Sequence, residues 1–405
     1  MSAKKSEDTA AIGRNGKPKP TVAVFRSDWL PASETFIRYQ LANMKNWNPV
    51  SIGLGRVQSP LALDTDQLAM PEAANGGTRR RIFQATRRSR RLAGLVQRSN
   101  ASVVHAHFGT NGVLIRPVAR RLQLPLVVTF HGVDTSTVYH EKGLWGWLYR
   151  TRLEEIFKKD VQLIAVSESI KRTLIQIGAS KSRVSVIYNG VIATTAADLV
   201  GSRHGVLFVG RLVEKKGVDD LLNAMALLPE GTELTVVGTG PLEKYLTDLA
   251  KALAINCKFT GSLANQEVRK LMRSAEVVCV PSRVGRDGDV EGLPTVILEA
   301  GAEGTPVVAT SHGGNAEAIV DGVTGLLVAE RDVRGLADAV LTLMKAGVAD
   351  PSNANRIAAH VSREFDISKQ TAKVEELYER VVEVTVPKFF SDAGSNPSTS
   401  HSSGS

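Results

Sequence analysis

Short apolar runs alternate with amphipathic segments along most of this chain, and the whole alternation occurs twice. Thr21–Phe25, Val103–Ala106, Leu126–Phe130, Leu163–Val166 and Val184–Tyr188 read as buried strands in the first half. Val206–Val209, Leu234–Val237, Cys257–Thr260, Val277–Val280, Val307–Ala309 and Leu326–Val328 read so in the second. Gly217–Leu228, Leu242–Leu253 and Val333–Met344 carry the spacing of helices between them. Strand, helix, strand, repeated, is the pattern of a parallel sheet covered on both faces. The break falls at Asn189–His204, after a turn-prone Tyr-Asn-Gly and through the low-complexity Ala193–Asp198. The expected class is therefore α/β, with two doubly wound domains facing each other across a cleft. Residues 21–190 form the first domain, 191–203 the linker and 204–365 the second. A last helix over 366–387 returns to the first domain. Residues 1–20 and 388–405 are polar or Ser/Gly-rich and are expected to be disordered.

Composition narrows the class further. No run of about 18 apolar residues is present, so no membrane-spanning helix is expected. The N-terminus lacks the apolar stretch of a signal peptide, which points to the cytoplasm. The two cysteines, Cys257 and Cys279, sit in apolar runs and are expected as buried thiols. Residues 1–190 carry 29 Lys and Arg against 13 Asp and Glu, while the rest carry 21 against 28. The first half is thus expected to face an anionic partner.

Glu291-Gly-Leu-Pro-Thr-Val-Ile-Leu-Glu299 is the stretch richest in chemistry. Pro294 suits a first helical turn, because its missing N–H would be unpaired there anyway. Glu291 then lies in the loop before a helix, and Glu299 about a turn and a half inside it. Free N–H groups at a helix start attract phosphate. Two carboxylates flanking that start can hold hydroxyls at both ends of one elongated, phosphate-bearing ligand, as in a sugar nucleotide. Two glutamates on a solvated helix face are the plain alternative. Against it, Thr295–Leu298 and Ala300–Ala302 are apolar or small, so Glu299 needs a polar partner.

Other strand ends add to this. Gly210-Arg211 and Lys216-Gly217 share one strand-to-helix loop, where a guanidinium and an ammonium can meet a diphosphate. Gly238-Thr239-Gly240 is half a dinucleotide fingerprint, which on its own is often just a tight turn. Gly313-Gly314 permit close backbone approach to a phosphate. His105-Ala106-His107 and His131-Gly132-Val133-Asp134 end strands of the first domain. His131 lies where a doubly wound sheet holds its ligand and can stabilise or shuttle charge. His105 and His107 lack a third ligand for a metal. Asp287-Gly-Asp289 mimics a metal motif, but its polar setting beside Arg283 and Arg286 favours a solvated loop. No metal and no nucleic acid are expected.

Arg79–Arg98 holds eight arginines and no acid, interleaved with Ile82, Phe83, Leu92, Leu95 and Val96. Arg79, Arg80, Arg81, Arg87, Arg88, Arg90 and Arg91 suit anionic headgroups, with a solvated face as the alternative. Trp145, Trp147 and Tyr149 serve equally well as interfacial aromatics or as core.

Taken together, these motifs resemble the retaining glycosyltransferases of family 4, whose GT-B architecture is two facing Rossmann-like domains. The resemblance rests on Gly210-Arg211-Leu212, Lys216-Gly217, Gly238-Thr-Gly-Pro241, Pro281-Ser282 and Glu291-Gly-Leu-Pro…Glu299-Ala300. Gly313-Gly314 with Glu317, and Asp321–Val328, continue it. It implies that Arg211 and Lys216 bind the donor diphosphate and stabilise the leaving nucleotide. It implies that Glu299 holds the ribose, that Glu291 contacts the transferred sugar, and that His131 lies near the reacting centre. Gly210, Gly238, Gly292, Leu293, Pro294, Gly313 and Gly314 complete the donor site. No cofactor or metal is implied, and configuration would be retained by same-face attack without a carboxylate nucleophile.

One segment departs from the family pattern. Ser27–Ile37 stands where many relatives have a Gly-Gly loop; Ser33 reads there as a helix N-cap. Ser33-Glu34-Thr-Phe-Ile with His-Phe-Gly and His-Gly-Val-Asp resembles the branch that builds exopolysaccharides, in the manner of colanic-acid transferases. Ser33, Glu34, His107 and Asp134 are accordingly assigned to the acceptor side. The implied partners are a nucleotide-sugar donor, a lipid-linked saccharide acceptor and an anionic membrane surface. A nucleotide-sugar epimerase and a non-catalytic saccharide- or lipid-binding relative are the competing readings.

Overall fold

The computed structural model describes residues 18–31, 33–70, 77–158, 160–194, 203–286, 288–346 and 351–385. The expected disorder of 388–405 and of most of 1–20, most of the 191–203 linker, and Asp287 lie outside the described residues.

Apolar, β-rich runs build two parallel sheets. The first runs in the order Gln67–Leu68, Asn48–Gly53, Thr21–Phe25, Ala101–His107, Leu126–Phe130, Val161–Ala165, Val184–Val186. The second runs Cys257–Gly261, Leu234–Val237, Val206–Val209, Val277–Val280, Val307–Thr310, Gly325–Val328. In each, the first strand pairs on one side with the sheet's next strand along the chain and on the other with a later one. Loops leaving the two central strands therefore part to opposite faces, and the crevice between them is where such a sheet binds ligand. The architecture is GT-B.

Asn48–Gly53 and Gln67–Leu68 were not anticipated as strands. Asn48-Pro-Val-Ser-Ile-Gly carries too few apolar residues for a buried run, and only Ile52 and Gly53 are buried. Its place near the sheet edge explains that.

The last helix, Ile367–Thr385, lies on the first domain. Val374, Leu377 and Tyr378 are buried against Val22, Val24, Val103 and Ile164. Glu375 accepts hydrogen bonds from the backbone N–H of Asn46 (2.8 Å) and Trp47 (3.0 Å). The Tyr378 hydroxyl meets His105 Nδ1 at 2.5 Å. A polar joint ties the domains from the other side: Glu317 of the second accepts from the N–H of Glu168 (2.7 Å) and Ser169 (2.8 Å). Those N–H groups open the helix Glu168–Gln176 of the first domain, so a carboxylate satisfies free donors at a helix start.

Cys279 is a buried thiol, whereas Cys257 is only partly buried. Tyr149 belongs to the core, while Trp145 and Trp147 are exposed. No described helix is long and apolar enough to cross a membrane.

Leu377→Ala removes a fully buried side chain from the seam between last helix and first sheet. It is expected to cost about 2–5 kcal/mol of unfolding free energy in urea titration.

Candidate functional site

The cleft lies between the carboxyl ends of the two sheets and has a volume of about 380 Å³. Ser33 and Thr35 line it from the first domain; Gly210, Arg211, Lys215, Lys216, Thr295 and Glu299 line it from the second. It is built on the second domain's switch point. The loop after Val206–Val209 carries Gly210 and Arg211, then a single 3-10 turn, Glu214–Lys216, carries both lysines. Gly217 closes that turn at φ 63°, where its missing Cβ lets the backbone pass the Pro281 carbonyl.

The helix Thr295–Ala302 points its start into the cleft without a side-chain cap. Pro294 sits at the N-cap, one position earlier than the sequence suggests. Leu293 and Pro294 are buried behind it. Uncapped N–H groups facing a cation-lined cleft form an anion site.

Arg211 is exposed, and no ion pair holds its guanidinium among the described residues. Lys216 instead pairs with Glu291 at 2.9 Å. Lys215, which sequence reasoning passed over, pairs with Asp289 at 2.8 Å and lies 3.7 Å from Glu291. Asp289 is therefore not part of a solvated loop. It also meets the Ser136 hydroxyl of the first domain at 3.3 Å. Burial disfavours ionisation of Glu291, but the Lys216 and Lys215 ammoniums outweigh it and hold the carboxyl down to about 2. His312, also passed over, adds to that positive surrounding. It is buried, with Nδ1 2.6 Å from Glu330.

Glu299 has no such partner. Burial raises its pKa, and Arg269 only partly offsets this. Among the described residues no ion pair takes its carboxylate, because Arg269 and Arg273 both bind Glu303 (2.5 and 2.7 Å). An under-satisfied carboxylate on a cleft wall is a ready acceptor for ligand hydroxyls.

His131 is not among the residues that line this volume; its turn packs against Val290–Gly292 of the second domain. A Cβ on Gly132 would lie 3.0 Å from the Gly292 nitrogen and the Val290 oxygen, and φ is 123°. A Cβ on Gly292 would strike the His131 carbonyl, and one on Gly314 the Gly292 carbonyl. Gly313 is likewise filled by the Glu291 carbonyl and Gly238 by the Gly210 carbonyl. Gly313 and Gly314, expected to admit a phosphate, admit protein backbone instead on that side.

Three of the acceptor-side residues, Asp134, His107 and Glu34, are buried within the first domain, and the fourth, Ser33, lines the cleft. Asp134 is fully buried and accepts from the N–H of Gly109 (2.8 Å) and Gly132 (2.9 Å), so it shapes the His131 turn rather than touching a ligand. Burial pushes it up to about 6 against those bonds. His107 is buried, with Nδ1 3.2 Å from His131 Nε2. Burial draws His131 down to about 3, so the ring is neutral. Glu34 is buried and gripped at both oxygens by Arg26 (2.8 and 3.0 Å). Ser33 lines the cleft but does not cap the helix, which starts at Thr35 with Glu34 at its N-cap position.

The basic segment also changes. Arg80 is buried and 2.5 Å from Asp28; Arg87 binds both oxygens of Glu155 at 3.0 Å. These two are internal ties. Arg79, Arg81, Arg88, Arg90 and Arg91 stay exposed. No three His, Cys, Asp or Glu side chains gather as metal ligands among the described residues.

Residues 199–360 match the family described as glycosyl transferases group 1, and residues 59–194 match Glycosyltransferase Family 4. The amylovoran biosynthesis glycosyltransferase AmsK of Erwinia amylovora is 30% identical over 297 residues, 69% of this chain and 70% of that one. The putative colanic acid biosynthesis glycosyltransferase WcaL of Escherichia coli is 29% identical over 251 residues, covering 58% and 60%. Among solved structures, HepE of Anabaena in complex with UDP superposes with a TM-score of 0.70 at 20% identity, over 89% of this chain and all of that one. A sucrose-phosphate synthase of Thermosynechococcus elongatus gives 0.72 at 17% identity, over 90% and 100%.

The Glu291 carboxyl ionises more readily folded than unfolded, so it adds stability above its ordinary value of 4.5 and loses it as pH falls toward 2. Glu291→Gln is expected to flatten the fall in stability between pH 4.5 and 2, read by denaturant titration at each pH. An unchanged slope would refute the Lys216–Glu291 coupling.

Proposed function

The chain belongs to glycosyltransferase family 4, and on that premise we propose that it moves a sugar from a nucleotide diphosphate donor to a lipid-linked saccharide. The product would be a growing exopolysaccharide or other cell-surface polysaccharide. The observation that carries the reading is the cleft itself: a free guanidinium, an uncapped helix start and an unpaired Glu299 on one wall.

A diphosphate between Arg211 and the start of the helix Thr295–Ala302 meets positive charge from both sides. That charge is worth most as the nucleotide leaves, when negative charge grows on the β-phosphate. Lys216 and Lys215 lie beside them, each already paired with a carboxylate, so Arg211 and the helix start carry the leaving-group charge. Glu299 accepts hydrogen bonds from the ribose hydroxyls. Glu291, kept ionised by Lys216, orients hydroxyls of the transferred sugar and is too firmly paired to be a nucleophile. His131, neutral and packed between Phe36 and Phe108 with ring centroids 4.8 and 4.5 Å away, faces the reacting end. Attack from the face the nucleotide leaves, within a short-lived ion pair, retains configuration. The named tasks of AmsK and WcaL support the polysaccharide assignment.

Work on a lipid-linked acceptor calls for a membrane-facing side. Ile82, Trp145 and Trp147 are each more than half exposed. Arg152 donates to the carbonyls of Gln84 (2.9 Å) and Ala85 (2.7 Å), which keeps the tryptophan helix beside the arginine helix. Five exposed arginines with apolar neighbours fit an anionic lipid surface at the cytoplasmic face of a membrane.

Glu299→Ala is expected to raise the donor KM about 10–100-fold with circular dichroism unchanged, the cost of a lost charged hydrogen-bond acceptor. Arg211→Ala is expected to lower kcat about 10²–10³-fold. Nucleotide release from a panel of nucleotide sugars, with and without lipid-linked acceptor, reads both. Wild-type turnover in both variants would sink the site. For the membrane, flotation with anionic vesicles should recover the wild type and lose the Trp145→Ala/Trp147→Ala variant; equal recovery with neutral vesicles would remove the claim.

A further inference from the structure

A second, much smaller cavity lies behind His131. Its volume is about 10 Å³, and Gln40, His107, Gln370 and Thr371 line it where the crossover at Asn189–Gly190 meets the returning helix. Ten cubic ångströms of probe space is about one water molecule. Four buried polar atoms on this lining have no protein partner: Gln40 Oε1, His107 Nε2, Gln370 Oε1 and Thr371 Oγ1. His107, Gln370 and Thr371 are each at most 2% exposed. Unpaired polar atoms this deep are costly singly, and four around one cavity are a built site. The neighbouring His105 differs: its Nδ1 meets Tyr378 and its Nε2 meets Thr129 at 2.7 Å.

We propose that one ordered water is bound here by all four groups and that it fixes the protonation pattern of His107 and, through it, of His131. The hydrogen bonds dictate the direction. Gln370 donates its amide to the Glu364 carbonyl, which leaves Oε1 as the end toward the cavity. The two glutamine oxygens can only accept, so they take both hydrogens of the water. The water then accepts from Thr371 Oγ1–H and from His107 Nε2–H. A neutral imidazole with its proton on Nε2 has a bare Nδ1. His107 Nδ1 therefore accepts from His131 Nε2–H across their 3.2 Å contact. His131 is left with its lone pair on Nδ1. Burial, which holds both rings neutral, agrees with this.

His107, Gln40, Gln370 and Thr371 are thus positioning residues, and the returning helix specifies which nitrogen of His131 carries the proton. The kinetic consequence rests on the proposed place of His131 at the reacting centre; the water site and the tautomers do not.

The test uses the full chain labelled with ¹⁵N-histidine, with resonances assigned through His107→Asn and His131→Gln. Long-range ¹H–¹⁵N correlation near neutral pH is expected to show both rings as Nε2–H tautomers; an Nδ1–H tautomer at either ring overturns the proposal. A crystal structure resolving ordered solvent is expected to place a water within about 3.2 Å of His107 Nε2 and Thr371 Oγ1; a dry cavity overturns it. Thr371→Val keeps the shape and removes one donor to the water. It is expected to introduce a second His131 tautomer and lower kcat about 3–10-fold with donor KM unchanged, the size of one neutral hydrogen bond. A single unchanged tautomer in that variant overturns the role of Thr371. Absent sugar transfer with the expected tautomers would instead refute the glycosyltransfer reading and leave the water site standing.

Discussion

The two domains meet at the His131 turn through main chain. His131 and Gly132 press on Val290–Gly292, and Gly292 in turn presses on Gly314, main chain against main chain. Everything in the cleft depends on this contact. It sets how far Glu291 and the helix Thr295–Ala302 stand from the first domain, and it tolerates no error larger than a Cβ. Backbone layers packed this closely cannot slide past one another without separating.

Charge then works inside that fixed frame. Lys215, Lys216 and His312 surround Glu291, while Arg269 and Arg273 are engaged by Glu303 and leave Glu299 without an ion pair. Two glutamates from one short segment thus differ in character. Glu291 is stabilised as an anion by its own neighbours; Glu299 is an acceptor still short of donors. The difference arises from which cations the fold brings near; of the two, Glu299 lines the cleft.

That distinction marks the limit of what the sequence reveals. The strands of both domains were legible because buried parallel strands are unbroken apolar runs, as at Leu126–Phe130 and Val277–Val280. The strand Asn48–Gly53, next to the edge, was not, since Asn48, Pro49 and Ser51 interrupt its apolar run and its burial is partial. Arg211 and Glu299 could be found from position alone, as both flank a strand end or a helix start. Lys215 was hidden beside the more familiar Lys216, although two adjacent lysines in a tight turn were a usable signal. Arg80, Arg87 and Glu34 were misread for one reason: their partners Asp28, Glu155 and Arg26 come from other elements. Composition records a charge but not its counter-charge.

Glu317 shows the same economy of parts in another place. Its carboxylate sits on the start of the helix Glu168–Gln176 and joins the domains behind the cleft. At the front, the helix Thr295–Ala302 presents the same kind of terminus with no side chain covering it. One terminus is plugged by the protein's own anion and serves as a joint; the other stands uncapped at the cleft. A phosphate entering the front site would meet there the same kind of helix terminus that fastens the two halves at the back.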